Sequence, residues 1–254
     1  MSAVSSLVEI ATFLGGDYRF NQAAGGNLSC KEGGQLWIKS SGVSLGEMTL
    51  EHGWVRIPLE RLRPLIAKGK ALLAAGEELY AVSNRLDGEL PTLHTDGSGR
   101  ASIETYMHVL GPRLVAHAPD VAAPAIGSLP RAPEAVGEVA RMCSFPVGWV
   151  GYHRPGFPLA LAVEEQRAVL EGHGVCVLAN HGVIATGESC EEIREHLDAF
   201  RCGALTWLGV TDCVLPPLPP LVTPEAGRVE LTGPGWESVF WGAALMRPLV
   251  PDYV

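Results

Sequence analysis

Residues 176–187 read CVLANHGVIATG, in which two apolar runs flank a short polar centre. The centre consists of Asn180, His181 and Gly182. Apolar runs separated by so few polar residues predict two paired strands joined by a tight turn, with His181 beside a glycine. Because glycine has no side chain, a ligand can approach such a turn closely. An isolated histidine of this kind more often makes only local hydrogen bonds, so its interpretation depends on the rest of the chain.

The composition limits the classes of partner that the chain can bind. It has 254 residues, of which 47% are hydrophobic, and this suits one sizeable α/β domain or two small ones. The formal net charge is −9 and no run rich in lysine and arginine occurs, which argues against nucleic acid and against an anionic membrane as partners. A small anionic substrate is compatible with this charge, because a few arginines and backbone amides suffice to bind it.

The cysteines and the first residues indicate a compartment. The six cysteines are dispersed without a CxxC pair, which predicts thiols in a reducing environment rather than a disulfide framework. Residues 1–16 contain Glu9 and no basic segment, unlike a secretory signal. No apolar run reaches the length of a membrane span. We therefore expect a cytoplasmic protein.

Helical and strand-like patterns alternate along the chain. Helices are predicted over 4–15, 59–75, 102–111, 160–172 and 190–209, with a further helix and a short strand over 130–146. Strands are predicted over 27–30, 35–40, 54–58 and 113–118, besides the pair in 176–187. Residues 83–101 are rich in turn residues and predict an exposed loop. This order favours a mostly antiparallel sheet covered by helices in one domain, residues 1–214, with the proline-rich residues 215–254 packing on it as an extension.

Two glycine-rich segments are candidates for binding phosphate. They are GGNLS, residues 25–29, and KSSG, residues 39–42. Glycine turns expose backbone N–H groups and hydroxyls add donors, so together they can cradle a phosphate. Each segment alone is more typical of an ordinary turn.

A third segment, SIETYMHVLG (residues 102–111), supplies a carboxylate. Its pattern predicts a helix with Ser102 as N-cap and Glu104 in the first turn. On an α-helix, Glu104 and His108 would lie on the same face, four residues apart.

Taken in order, the motifs GGNLSC, LWIKSSG, SIETYMH, RLVAHA, YHRPGFPLA and VLANHGVIATG resemble the class II aldolase/adducin family over about residues 7–205. The resemblance implies a three-layer α/β/α fold around a mostly antiparallel central sheet, assembled as a homotetramer. It also implies a lyase or epimerase that acts on phosphorylated ketoses. In that family a divalent metal, usually zinc, polarises the substrate carbonyl and the enediolate formed on C–C cleavage.

The resemblance also implies roles for individual residues. Glu104 would be the acid/base that moves a substrate proton, and His117 and His181 would be metal ligands. The phosphate would be held by residues of the two glycine-rich segments: Gly26, Asn27, Ser29, Ser40, Ser41 and Gly42. Arg154, in the turn GYHRPGFPLA, is a further candidate for binding a phosphate or carboxylate.

The chain departs from the family pattern at one ligand position. The family has an H-x-H pair on one strand, whereas this chain reads His117-Ala118-Pro119, so proline occupies the second place. Two protein ligands bind zinc less well than three, and another residue would have to complete the site. The candidates are Asp120, His108, His153 and His173, each of which is also typical of an ordinary surface or capping residue.

Three functions follow from these patterns. The first is an aldolase-like lyase that cleaves or forms a C–C bond next to the carbonyl of a small, phosphorylated, sugar-like substrate, with an altered metal site. The second is an epimerase or decarboxylase that uses the same groups. The third is a non-catalytic, adducin-like binding protein, which Pro119 favours and which the retention of Glu104 and both glycine-rich segments opposes.

Overall fold

The computed structural model describes residues 2–17, 19–21, 25–97 and 99–210. The predicted extension, residues 215–254, lies outside these residues. The described strands are β1 (Asn27–Glu32), β2 (Gln35–Lys39), β3 (Trp54–Pro58), β4 (Asp96–Gly97), β5 (Leu114–Ala118), β6 (Val147–Val150), β7 (Val175–Leu178) and β8 (Gly182–Gly187). The described α-helices are α1 (Ala3–Gly15), α2 (Leu59–Ala74), α3 (Leu79–Glu89), α4 (Ala122–Gly127), α5 (Ala132–Ala140), α6 (Phe157–Glu164), α7 (Arg167–Glu171) and α8 (Cys190–Trp207).

The strands form one sheet in the order β4-β3-β2-β1-β5-β8-β7-β6. Every neighbouring pair is antiparallel except β6 and β7, which are parallel. The prediction of a mostly antiparallel central sheet is therefore confirmed. The hairpin between β1 and β2 turns at Gly33 and Gly34, both of which have positive φ.

Helices cover both faces of the sheet and create two apolar cores. Alternate residues of a strand point to opposite faces, so Leu114 and Ala116 of β5 join one core while Val115 joins the other. The first core includes buried residues of α1, α4, α5 and α8, and the second includes buried residues of α2, α3 and α6. The central strands β5, β7 and β8 are buried along their whole length. The architecture is a three-layer α/β/α sandwich, as expected.

Some local predictions were wrong. Residues 83–89 belong to α3, because Val82 and Leu86 turn an apolar face to the core while Asn84 and Gly88 are exposed. Residues 103–109 form a 3-10 helix rather than an α-helix, although Ser102 caps it as predicted. The segment 160–172 is divided between α6 and α7, and the strand expected by residue 146 begins at Val147.

No helix among the described residues is long and apolar enough to cross a lipid bilayer.

Strand register brings the predicted motifs to one end of the sheet. Asn27 of β1 is paired with His117 of β5, and His117 is paired with Ile184 of β8. Strand β8 begins immediately after His181, which lies in the turn from β7. The GGNLS segment, the end of β5 and the NHG turn therefore meet at the same end of the central strands.

Candidate active site

The turn between β7 and β8 holds His181 against the end of β5. Asn180 and Gly182 flank the histidine with φ values of 54° and 125°. A Cβ atom on Gly182 would lie 2.3 Å from the carbonyl oxygen of Ala118, so no larger residue fits there without a shift of the backbone. The glycine therefore permits the close approach that positions His181.

His117 and His181 face each other across the two strands. Their rings are stacked with centroids 4.8 Å apart and planes inclined by 6°. Nδ1 of His117 lies 2.9 Å from the carbonyl oxygen of Val183, which requires a proton on Nδ1 and leaves the Nε2 lone pair directed into the site. Burial lowers the pKa of His117 against the opposing effect of Glu104, so the ring is neutral near pH 7.

Glu104 lies between the two histidines. The 3-10 helix carries it, and its backbone N–H donates to the Oγ of Ser102. Its Oε1 is 2.6 Å from Nε2 of His181, and its Oε2 is 3.8 Å from Nε2 of His117. Burial alone would raise the pKa of Glu104, but the two histidines and the hydrogen bond with His181 outweigh burial and lower that pKa. The group is therefore a carboxylate at neutral pH.

A buried polar network supports Glu104 from behind. Nδ2 of Asn27 donates to Oε2 of Glu104 at 2.6 Å, and Oδ1 of Asn27 makes a short hydrogen bond with Nε2 of His108. Nδ1 of His108 lies 2.8 Å from Oγ of Ser29. Residues of two elements, β1 and the 3-10 helix, thus form one continuous network that ends at the carboxylate.

The site offers three donor groups to a metal ion. One ligand atom each of Glu104, His117 and His181 lies within 4.8 Å of the others, and this is the only such group of three among the residues the structure describes. Two imidazoles and a carboxylate suit a divalent transition metal. The hydrogen bond from His117 Nδ1 to a backbone carbonyl is the kind of outer contact that orients a ligating histidine. The donor set therefore fits a divalent metal, with Glu104 as the third donor beside the two histidines.

The other candidates for that place lie elsewhere. Oδ1 of Asp120 accepts hydrogen bonds from the backbone N–H groups of Ala122 and Ala123 at the start of α4. His153 is exposed, and Nδ1 of His173 contacts Oε1 of Glu192 at 2.7 Å. His108 belongs to the network behind Glu104 and does not join the group of three.

The GGNLS segment lies against the end of β5. Gly26 has a φ of 68°, and a Cβ atom on it would lie 2.8 Å from the carbonyl oxygen of His117. The side chains of Asn27 and Ser29 point into the network behind Glu104 rather than toward solvent.

The KSSG segment follows β2 and combines buried and exposed groups. Ser40 is buried, whereas Ser41 and Gly42 are exposed. Burial lowers the pKa of Lys39 to about 8, although Glu104 opposes this effect. Its Nζ donates to the carbonyl oxygen of Ser40 at 3.4 Å. In the sequence, Lys39 was distinguished only as the first residue of KSSG. Its position as a charged residue at the end of the apolar strand LWIK was the pattern that could have indicated a buried lysine.

Arg154 lies on the surface, with its guanidinium 5.6 Å from the centroid of the Tyr80 ring. It is not part of the group formed by Glu104 and the two histidines. The segment that contains it approaches the site through Gly156, where a Cβ atom would lie 3.7 Å from the backbone oxygen of Ile103.

Fold and site together define a class: three-layer α/β/α proteins in which two histidines and a glutamate meet at one edge of a mostly antiparallel sheet. The sequence profile of the family "Class II Aldolase and Adducin N-terminal domain" matches residues 5–204. The chain belongs to this family, and the resemblance stated above is confirmed.

One relative matches most of this chain by sequence. A protein of Bacillus subtilis (strain 168), named uncharacterized oxidoreductase YuxG, is 29% identical over 201 residues, which are 74% of this chain and 27% of that protein. The chain thus spans about a quarter of that relative.

Solved structures show the same fold. The N-terminal class II aldolase domain of a Thermoplasma acidophilum protein aligns with a TM-score of 0.62 and 21% identity, covering 82% of this chain and 94% of that one. A sugar-phosphate aldolase from Thermotoga maritima aligns with a TM-score of 0.57 and 15% identity, covering 82% and 94%.

Proposed function

We propose that this protein is an aldolase-like lyase that cleaves or forms a C–C bond next to the carbonyl of a small, phosphorylated, sugar-like substrate. The observation that carries the proposal is the position of Glu104, which lies 2.6 Å from His181 and beside His117 at one edge of the sheet. A carboxylate that can exchange a proton next to a candidate Lewis-acid site is what breaking a bond beside a carbonyl requires. Family membership supports an enzyme that acts on a small molecule.

We propose that Glu104, His117 and His181 hold a divalent metal, with zinc as the first candidate. When bound there, the metal would supply a Lewis acid that polarises the substrate carbonyl. The neutral state of His117, which burial favours, keeps its Nε2 lone pair available for this purpose.

Glu104 carries the proton in the proposed reaction. In the cleavage direction, Glu104 takes the proton from the hydroxyl on the carbon that becomes the new carbonyl. The C–C bond then breaks, and the electron pair of that bond stays on the other fragment, which becomes the enediolate. Protonated Glu104 then returns this proton to a carbon of the enediolate, which gives the second carbonyl fragment and restores the carboxylate. Because the pKa of Glu104 is lowered, the carboxylate is in its basic form at neutral pH.

The phosphate would lie at the two glycine-rich segments. Exposed Ser41 and Gly42, together with the backbone of Gly26, are accessible for this role, and Lys39 adds a positive charge near Glu104. Ser40 and Arg154 remain proposed contributors, Arg154 from the surface. A homotetramer, proposed from the resemblance, would have four times the 27.0 kDa chain mass in analytical ultracentrifugation.

The experiment is a product analysis with a panel of phosphorylated ketoses, their unphosphorylated counterparts, and β-keto acids. The proposal expects two carbonyl fragments from a phosphorylated ketose in the presence of a divalent metal. Glu104→Gln should remove this activity, while the matched change Glu51→Gln, on the exposed surface, should not alter it.

Other outcomes would contradict the lyase and identify an alternative. A substrate that is only epimerised, or an acid that loses carbon dioxide, would assign the site to an epimerase or a decarboxylase. Absence of turnover with the whole panel, with or without metal, would favour an adducin-like binding protein.

A further inference from the structure

Four hydrogen bonds connect Ser29 to His181 through Glu104. Oγ of Ser29 is 2.8 Å from Nδ1 of His108, whose Nε2 is hydrogen-bonded to Oδ1 of Asn27. Nδ2 of Asn27 is 2.6 Å from Oε2 of Glu104, whose Oε1 is 2.6 Å from Nε2 of His181. We call the part formed by Ser29, His108 and Asn27 the support chain.

Only one arrangement of protons satisfies the support chain. The ionised carboxylate of Glu104 can only accept, so Asn27 must present its amide N–H₂ to Oε2 and its Oδ1 to His108. Oδ1 accepts, so His108 must carry its proton on Nε2. Its Nδ1 is then an acceptor, and the hydroxyl of Ser29 donates to it.

Burial stabilises this arrangement of protons relative to any other. Ser29, Asn27 and His108 are all buried, so any atom left without a partner would be deprived of water as well. Burial, assisted by His117, lowers the pKa of His108 to about 3, so the ring is neutral over the whole range in which the protein would work. A neutral ring with a fixed donor and a fixed acceptor can orient an amide on one side and be oriented by a hydroxyl on the other.

We propose that His108 and Ser29 are positioning residues: Nε2–H of His108 orients the amide of Asn27 so that Glu104 is held at Oε2, and the hydroxyl of Ser29 holds the His108 ring in place by donating to Nδ1. Oε1 is then the oxygen that exchanges a proton with the substrate. This inference rests on the proposed function for the role of Oε1. It also assigns the hydroxyl of Ser29 to His108 rather than to a phosphate.

The first test needs no substrate and no metal. The protein is labelled with ¹⁵N in its histidine rings, and the His108 signals are identified by their loss in His108→Gln. Long-range ¹⁵N–¹H spectra should show His108 neutral with its proton on Nε2 from pH 5 to pH 8. In Ser29→Ala, the proton should stay on Nε2, since Oδ1 of Asn27 still requires a donor. A proton on Nδ1 in the unaltered protein, or protonation of the ring near pH 6.5, would overturn the proposal even if the lyase activity is found.

The second test separates positioning from general structural damage. The amide of glutamine can donate in the place of Nε2, whereas leucine cannot, so His108→Gln is the matched partner of His108→Leu. With the substrate found in the product analysis, His108→Leu should lower kcat about 10–100-fold with little change in KM, as outer-shell changes do. His108→Gln should restore most of the loss. Equal losses in both variants, or an unchanged kcat in His108→Leu, would contradict the proposal.

Folding does not limit this test. If His108→Leu fails to fold, Ser29→Ala decides the matter, because it removes one oxygen and leaves the ring in place. Its kcat should fall, though less than that of His108→Leu would, while the proton stays on Nε2 of His108. An unchanged kcat, or a loss confined to the affinity for inorganic phosphate, would contradict the positioning role of Ser29.

Discussion

The charge state of Glu104 depends on residues that come from three separate parts of the chain. His181 approaches it from the β7–β8 turn, His117 from β5 and Asn27 from β1. Burial would favour a protonated carboxyl, and the two histidines reverse that preference. Glu104 can therefore act as a base at neutral pH, although most of its side chain is shielded from solvent.

The sequence was sufficient to single out Glu104, His117 and His181, because each lies in a short motif with a recognisable pattern, and the structure brings the three side chains together. It was not sufficient to predict that Glu104 joins the two histidines as a third donor. That depends on the pairing of Asn27 with His117 and on the 3-10 geometry of residues 103–109. In a 3-10 helix, residues four apart no longer share a face, and Asn27 connects Glu104 to His108 instead.

Gly182 provides a test of the turn that positions His181. In Gly182→Ala the new Cβ would meet the carbonyl oxygen of Ala118 at 2.3 Å, in addition to the strain of a positive φ. We expect a loss of about 3 kcal/mol or more in the free energy of unfolding. Gly42→Ala is the matched control, because Gly42 also has a positive φ but no atom lies within 4 Å of the added carbon. It should cost only about 1 kcal/mol. Equal losses in urea unfolding would contradict the close-approach explanation.

Asp120 predicts a pH dependence of stability. Burial raises the pKa of Asp120 to about 6 from its ordinary 3.8, against the backbone N–H groups of Ala123 and Ala122. Its Oδ2 has no hydrogen-bond partner among the described residues. The folded protein therefore holds this proton more tightly than the unfolded chain between about pH 4 and pH 6, and the stability that the group contributes falls as pH rises through that window.

The matched variant is Asp120→Asn, which keeps the acceptor for the N–H groups and cannot ionise. Relative to the unaltered protein, it should gain up to about 3 kcal/mol in the free energy of unfolding between pH 4 and pH 7. Urea unfolding of both proteins at the two pH values measures this difference. A difference that does not change with pH would show that Asp120 is not the source.

At the level of helices and strands, periodicity predicted most elements, because apolar residues alternate in the strands and recur every three or four residues in the long helices. Helix α3 was missed because its sequence, LYAVSNRLDGE, mixes an apolar face with residues that favour turns. Tertiary packing of Val82 and Leu86 decides that segment, and no local pattern reports it. The same is true of the boundary between α6 and α7.

Alanine substitutions at two helical glycines separate the effect of packing on stability from that of helix propensity. A Cβ atom on Gly69 of α2 would lie 2.6 Å from side-chain atoms of Leu86 and Phe157, and Phe157 is fully buried against Tyr106. Gly69→Ala should therefore lower the free energy of unfolding by about 1–2 kcal/mol, even though alanine favours a helix. Gly88→Ala, at an exposed position of α3 with no atom within 4 Å, should raise it by about 0.5–1 kcal/mol. Thermal unfolding of both variants measures the two signs, and a gain at Gly69 would contradict the packing described for α2.

For the whole molecule, the fold and the site carry different information. Structures with 21% and 15% identity share the three-layer fold, but fold alone does not determine a reaction. The overall architecture could be predicted because several motifs occur in a fixed order along the chain. The reaction could not, because Pro119 stands where the family pattern has a histidine and the substrate contacts depend on atoms that the sequence does not position.

A divalent metal should stabilise the whole domain if it binds the folded state only. At a zinc concentration one hundred times the dissociation constant, the gain would be about 2.7 kcal/mol, and the melting temperature should rise by several degrees. The double change of His117 and His181 to alanine should abolish this rise, whereas His173→Ala, outside the group of three, should retain it. Calorimetry with and without zinc measures these shifts, and an equal rise in all three proteins would place the metal elsewhere.

The most direct measurement is anomalous diffraction from crystals grown with zinc, with data collected on both sides of the zinc absorption edge. The account predicts one strong peak at about 2.0–2.2 Å from Nε2 of His117, from Nε2 of His181 and from a carboxylate oxygen of Glu104. Crystals of Glu104→Gln should show a weaker peak or none. The absence of a peak among these three residues in the unaltered protein, with the hydrogen bond between Glu104 and His181 intact, would contradict the account.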